Sequence, residues 1–170
     1  MTRRTVIRYV LYGFEILLAL LVQVTPYVLP EIYGGKAVLL LPLTLSFAVF
    51  EKEIPAMVLA VVCGLLTDCS YSGALGFYVI AFVIMSFTIS NLYDQYIRRS
   101  LLTVMMMAVV AVPLIIVLQF LFYYVLAGYS HGGMFFVRHY LSRILYTLAF
   151  VPVFFGLNRF VFSRTAKKGG

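Results

Sequence analysis

Charge is scarce in this sequence. Of its 170 residues only 11% are Asp, Glu, Lys or Arg, six of those are acids, and there are two cysteines, two histidines and no tryptophan. A water-soluble domain carries about 25% charged residues, so an ordinary soluble globule is excluded. Disorder is excluded as well, because 15 Phe, 13 Tyr and long aliphatic runs are driven out of water. The rarity of reactive groups is equally telling. The acids Glu15, Glu31, Glu51, Glu53, Asp68 and Asp94 include no two at helical spacing inside an apolar run, so there is no paired-carboxylate site. Neither an HExxH pair nor a glycine-rich phosphate loop occurs. His131 and His139 have no acid or cysteine between them, whereas zinc needs three or four ligands. No metal and no cofactor are expected. Cys63 and Cys69, six residues apart, make no disulfide framework and read as small hydrophobes.

What is present is hydrophobic length: 64% of the residues are apolar. A transmembrane β-strand alternates polar and apolar residues, and the run 101–127 does not. The pattern therefore predicts an all-α, polytopic membrane bundle of six transmembrane helices, over roughly 9–29, 37–50, 54–67, 75–93, 101–127 and 141–162. Six crossings need about 120 residues, so the chain is expected to be one integral-membrane domain over 1–170. The second and third segments are short, near 14 residues each, and a re-entrant hairpin would also fit them. Such a hairpin would carry Glu51, Lys52 and Glu53 to mid-membrane, at about 2.5 kcal/mol or more apiece. Full crossings are the reading that avoids this. The basic start does not read as a cleaved leader, since the apolar run behind it contains Glu15 and Gln23 and ends in a Pro/Tyr-rich turn.

Charge placement predicts orientation. With both termini in the cytoplasm, Arg3, Arg4, Arg8, Lys52, Arg98, Arg99, Arg159, Arg164, Lys167 and Lys168 lie inside, and Lys36, Arg138 and Arg143 outside. The net charge of +7 then needs no nucleic-acid partner. It reads as an orientation signal and as attraction to anionic lipids.

Two features stand out among the polar residues. Glu15 lies within the first helix, where an acid is costly unless paired or wetted. It is expected either to pair with Arg8 or Arg159 inside the bundle, or to meet a polar group on a partner helix. The second feature is the stripe Ala56, Ala60, Gly64, continued one turn later by Asp68. Small residues four apart let two helices approach closely in lipid. Asp68, Gly73 and Gly76 then interrupt the apolar pattern, and Asp68 is suited either to capping the amides of the following turn or to binding. The stripe fits a partner helix or the bundle's own interior. Leu at Ala60 or Gly64 is expected to weaken partner association in the first case and the monomer in the second.

The stretch from Gly64 through Gly76, with Gly64-Leu65-Leu66, Asp68, Gly73, Leu75 and Gly76, resembles the signature of the bacterial rod shape-determining MreD family. Length, six-helix hydropathy and basic ends are also similar. The resemblance departs at Ala74, where the family pattern favours proline. It implies a fold similar to the S-components of energy-coupling-factor transporters. It also implies a non-enzymatic cytoplasmic-membrane scaffold of the cell-elongation machinery that acts on cell shape and peptidoglycan synthesis. The partners it implies are MreC, with one membrane helix and an outer coiled coil, and other elongation proteins such as RodA and a class B penicillin-binding protein. No catalytic residues are implied. Two other classes stand beside this reading. A vitamin- or ion-binding S-component would dock through Ala-x-x-x-Ala on helix one, but only Gly13 and Ala19 are small there. An intramembrane hydrolase or proton-coupled carrier would have to rely on Glu15 and Asp68, which the topology places toward opposite sides.

Overall fold

The computed structural model describes residues 3–25, 37–71, 76–95, 100–127 and 141–165. Among these it is all-helical: α1 (Arg3–Val24), α2 (Leu40–Phe50), α3 (Glu53–Tyr71), α4 (Phe77–Gln95), α5 (Leu101–Ala127) and α6 (Leu141–Thr165). Five of them are long and apolar enough to cross a membrane.

The exception is α2. Its 11 residues rise about 16 Å, roughly half of a 30 Å hydrocarbon layer. It is shorter than the five, so length alone does not show the sixth crossing that the apolar run 37–50 suggests; residues 37–39 precede the helix. Every residue of α2 is buried, and it packs against all five other helices. A helix apolar on all faces belongs inside a protein, and Leu40, Leu41, Leu43, Leu45, Phe47 and Val49 form the centre of this core. Phe47 stacks on Tyr12 of α1 at 4.7 Å, and Phe50 on Phe155 of α6 at 5.2 Å.

A buried half-length helix must satisfy its end groups without water. Neighbouring helices do this. At the start of α2, the Leu40 amide donates to Gln23 Oε1 of α1 (3.2 Å) and the Val38 amide to Thr147 Oγ1 of α6 (3.3 Å). At its end, Ser90 Oγ of α4 donates to the Glu51 carbonyl (3.0 Å). These contacts show that successive helices run in opposite directions. Arg8, Glu51, Ser90 and Phe162 mark one end of the bundle; Gln23, Val38, Tyr78 and Arg143 mark the other.

The third helix is longer than its apolar run 54–67 suggests, because its polar C-terminal residues are accommodated within the helix. Thr67 and Ser70 donate their hydroxyls to the carbonyls four residues back, at 2.7 Å each. Pro55 falls in the first turn of α3, where a missing N–H leaves no intrahelical bond unmade.

Candidate functional site

The small-residue stripe lies inside the chain. Ala56 and Ala60 are fully buried, Gly64 is buried, and α3 and α4 form the most extensive helix pair of the fold. A Cβ on Gly64 would stand 2.6 Å from Val79 Cα and 2.8 Å from Val79 N, so only glycine lets α3 come this close to the start of α4. These residues are therefore not an open surface for another protein's helix. They pack the bundle itself.

Asp68 completes that junction. Its Oδ2 accepts from the Gly76 amide (3.0 Å) and the Val79 amide (3.3 Å), and its Oδ1 from the Tyr78 amide (3.0 Å). It thus caps α4 from the end of α3, taking three of the amides that a helix start leaves without partners. Gly76 sits at that start with φ +104°, a conformation that suits glycine. Of the two roles open to Asp68, the geometry shows capping, with the residue 3% exposed. Gly73 lies outside the described residues.

Above this junction, Tyr78 Oη donates to Gln119 Oε1 of α5 at 2.5 Å and accepts from Arg143 Nη2 of α6 at 3.0 Å. Gln119, a lone amide in an apolar run, thus joins α4 to α5.

The opposite end holds a buried ion pair. Arg8 Nε lies 2.9 Å from Glu51 Oε1, Arg8 Nη2 donates to Glu51 Oε2 at 3.2 Å, and Tyr12 Oη donates to Glu51 Oε1 at 3.1 Å. Glu51 is 6% exposed. The Arg8 guanidinium also lies over the rings of Tyr9 (5.7 Å) and Phe162 (5.5 Å). A cavity of about 510 Å³ opens beside it, with Lys52, Glu53 and Asp94 on its walls. Sequence reasoning missed this pair. Glu51-Lys52-Glu53 reads as a water-facing triplet, and nothing local links Glu51 to a residue 43 positions away.

Among the described residues no arginine forms an ion pair with Glu15. Arg8 is held by Glu51, and Arg159 of α6 is exposed. Among the described residues the Oε2 of Glu15 is buried without a hydrogen-bond partner, as is Oδ1 of the fully buried Asn158 of α6.

Reactive chemistry finds little to work with here. Among the described residues no three His, Cys, Asp or Glu side chains form a group able to hold a metal. His131 and His139 lie outside the described residues. Cys63 is buried and Cys69 exposed, both as free thiols. An apolar cleft of about 350 Å³ between α4 and α5 has Thr88 as its one hydroxyl among lining residues such as Met85, Ile89, Met107 and Ala111. It offers volume without chemistry.

The family model of the rod shape-determining protein MreD matches residues 3–161. No curated protein and no solved structure matches the chain. With nearly its whole length matched, the chain belongs to the MreD family, a membrane-embedded family of cell-shape determination.

Proposed function

We propose that this chain is a non-catalytic membrane scaffold of the bacterial cell-elongation (rod) complex. In this reading it controls cell shape and peptidoglycan synthesis by binding MreC and other elongation proteins such as RodA and a class B penicillin-binding protein. The observation that carries it is family membership across residues 3–161. The geometry agrees in kind: Asp68 caps a helix, Glu51 holds Arg8 and Tyr12, and Gln119 holds Tyr78. These polar groups fix helices to one another, and among the described residues they leave no nucleophile beside a base.

The proposal includes a topology. Both termini lie in the cytoplasm and the chain makes six passes, α2 carrying one of them inside the shell of the other five helices. Alternating helix direction supports this, as does the 10:3 division of basic residues between the two sides. The likeness to transporter S-components, which the family resemblance implies, stands as part of the same proposal.

Depleting the chain from its own cells tests the function. The expected result is loss of rod shape, with cells widening and rounding as the protein is diluted. Rods of unchanged width at complete depletion would contradict it.

A further inference from the structure

Three of the six acids of the sequence, Glu51, Glu53 and Asp94, line one cavity. Its volume of about 510 Å³ is within the roughly 300–1,000 Å³ of small-molecule sites. It lies at the end of the bundle marked by Arg8 and Phe162. Five elements meet around it: α1 through Arg8 and Tyr9, the end of α2, the start of α3, the end of α4 through Asp94, and α6 through Phe162. Helices long enough to cross a membrane place such an end at the level of the lipid headgroups.

One of the three acids serves the fold, since Glu51 holds Arg8 and Tyr12. The walls also carry Glu53, Asp94 and Lys52, none of them in an ion pair among the described residues. Asp94 and Lys52 are exposed and Glu53 is half-buried, so all three can be reached from outside. Two carboxylates and one ammonium around one cavity suit a ligand that carries both signs. The aromatic wall is already covered, because the Arg8 guanidinium lies over the rings of Tyr9 (5.7 Å) and Phe162 (5.5 Å). A quaternary ammonium relies on such ring faces and has no N–H for a carboxylate. A primary ammonium has three, and its bonds to carboxylates are charge-assisted.

The mouth of the cavity continues into lipid. Ile54, on its wall, is 77% exposed, and Val58, Val62 and Leu65 carry the same exposed face along α3. A ligand with an apolar tail thus finds a surface for the tail directly beyond the site for its head. A basic peptide would meet the same acids, but it would set its charge against Lys52 and leave that face unused.

We propose that this cavity holds the headgroup of a zwitterionic phospholipid with a primary ammonium, of the phosphatidylethanolamine class. Glu53 and Asp94 accept from the ammonium, Lys52 takes the phosphate, and the acyl chains lie along the exposed face of α3. This site is independent of the function proposed above.

Thermal melting of the full chain, stripped of lipid in detergent and then supplied with phosphatidylethanolamine, phosphatidylcholine or phosphatidylglycerol of identical chains, tests this. Phosphatidylethanolamine is expected to raise the melting temperature more than either of the others, because a ligand of the folded state stabilises it by mass action. The increment is read as phosphatidylethanolamine minus phosphatidylcholine within each variant, so that changes in the fold's own stability cancel. It is expected to shrink in Lys52→Gln and to vanish when Glu53→Gln and Asp94→Asn are combined. In titrations the affinity falls about tenfold for each carboxylate removed, the worth of a hydrogen bond to a charged group. Native mass spectrometry of the wild type from an equal mixture of the three lipids needs no variant, and is expected to show phosphatidylethanolamine retained in preference. Equal shifts or equal retention of the three lipids, an increment that survives the double substitution, or stabilisation by oligolysine as strong as by phosphatidylethanolamine would overturn the proposal.

Discussion

Glu51→Ala is expected to destabilise the folded bundle by about 3–5 kcal/mol, the range for removing one partner of a buried ion pair. Arg8 would keep its charge while losing both contacts to the carboxylate, and Tyr12 would lose its acceptor. The Arg8 side chain is 17% exposed, so some solvent reaches the stranded cation and the lower half of the range applies. Thermal melts of the purified chain in mild detergent measure the effect. Glu51→Gln retains an acceptor for Tyr12 without the charge and falls between wild type and Ala. Arg8→Ala combined with Glu51→Ala is expected to be milder than the sum of the two single changes, since it leaves no orphan charge. A melting temperature for Glu51→Ala equal to wild type would show that the pair does not anchor α1 to the end of α2.

The α3–α4 junction gives the second large effect. Asp68→Ala leaves the amides of Gly76, Tyr78 and Val79 without their acceptor. Loss of a cap costs about 1 kcal/mol, and each buried donor left unsatisfied adds about 1–3 kcal/mol. Water entering at the helix end recovers part of this, so a net loss of about 2–4 kcal/mol is expected. Asp68→Asn keeps one carbonyl oxygen, and the order of stability is Asp, then Asn, then Ala. Gly64→Leu acts on the same contact by overpacking, at about 1–3 kcal/mol or more, because the atoms in its way are Val79 backbone and cannot rotate aside. Both variants are expected to melt lower as isolated protein. Unchanged melting with impaired partner recovery would instead return the stripe to a partner-facing role.

How much of this was legible in the sequence depended on whether the relevant partner was local. Capping was one of two roles the sequence left open for Asp68, whose amides lie within 11 positions; Gly64 read as a point of close approach, but its neighbour, Val79, is 15 positions on and was not distinguished from a partner's helix. The long apolar runs of α1, α4, α5 and α6 were readable because hydrophobic length alone distinguishes a membrane helix. The position of α2 was not. An apolar segment looks the same whether lipid or protein surrounds it, and only the packing shows that Leu40–Phe50 is the hub of the bundle. The Arg8–Glu51 pair was hidden for a related reason: it joins the start of α1 to the end of α2, and Glu51 sits in a charged triplet that reads as surface. Once Glu51 holds Arg8, the pairing of Glu15 with Arg8 that their spacing suggests does not form.

The function proposed above requires a membrane body that is fixed by its own internal polar contacts and recognised by other elongation proteins. Affinity purification of the full chain from its own cells, in mild detergent, tests this most directly. The expected result is recovery of a protein with one membrane helix and an extracytoplasmic coiled coil, in amounts comparable to the chain itself. Recovery of the intact, folded chain without such a partner, or with a tightly held water-soluble nutrient in its place, would contradict it.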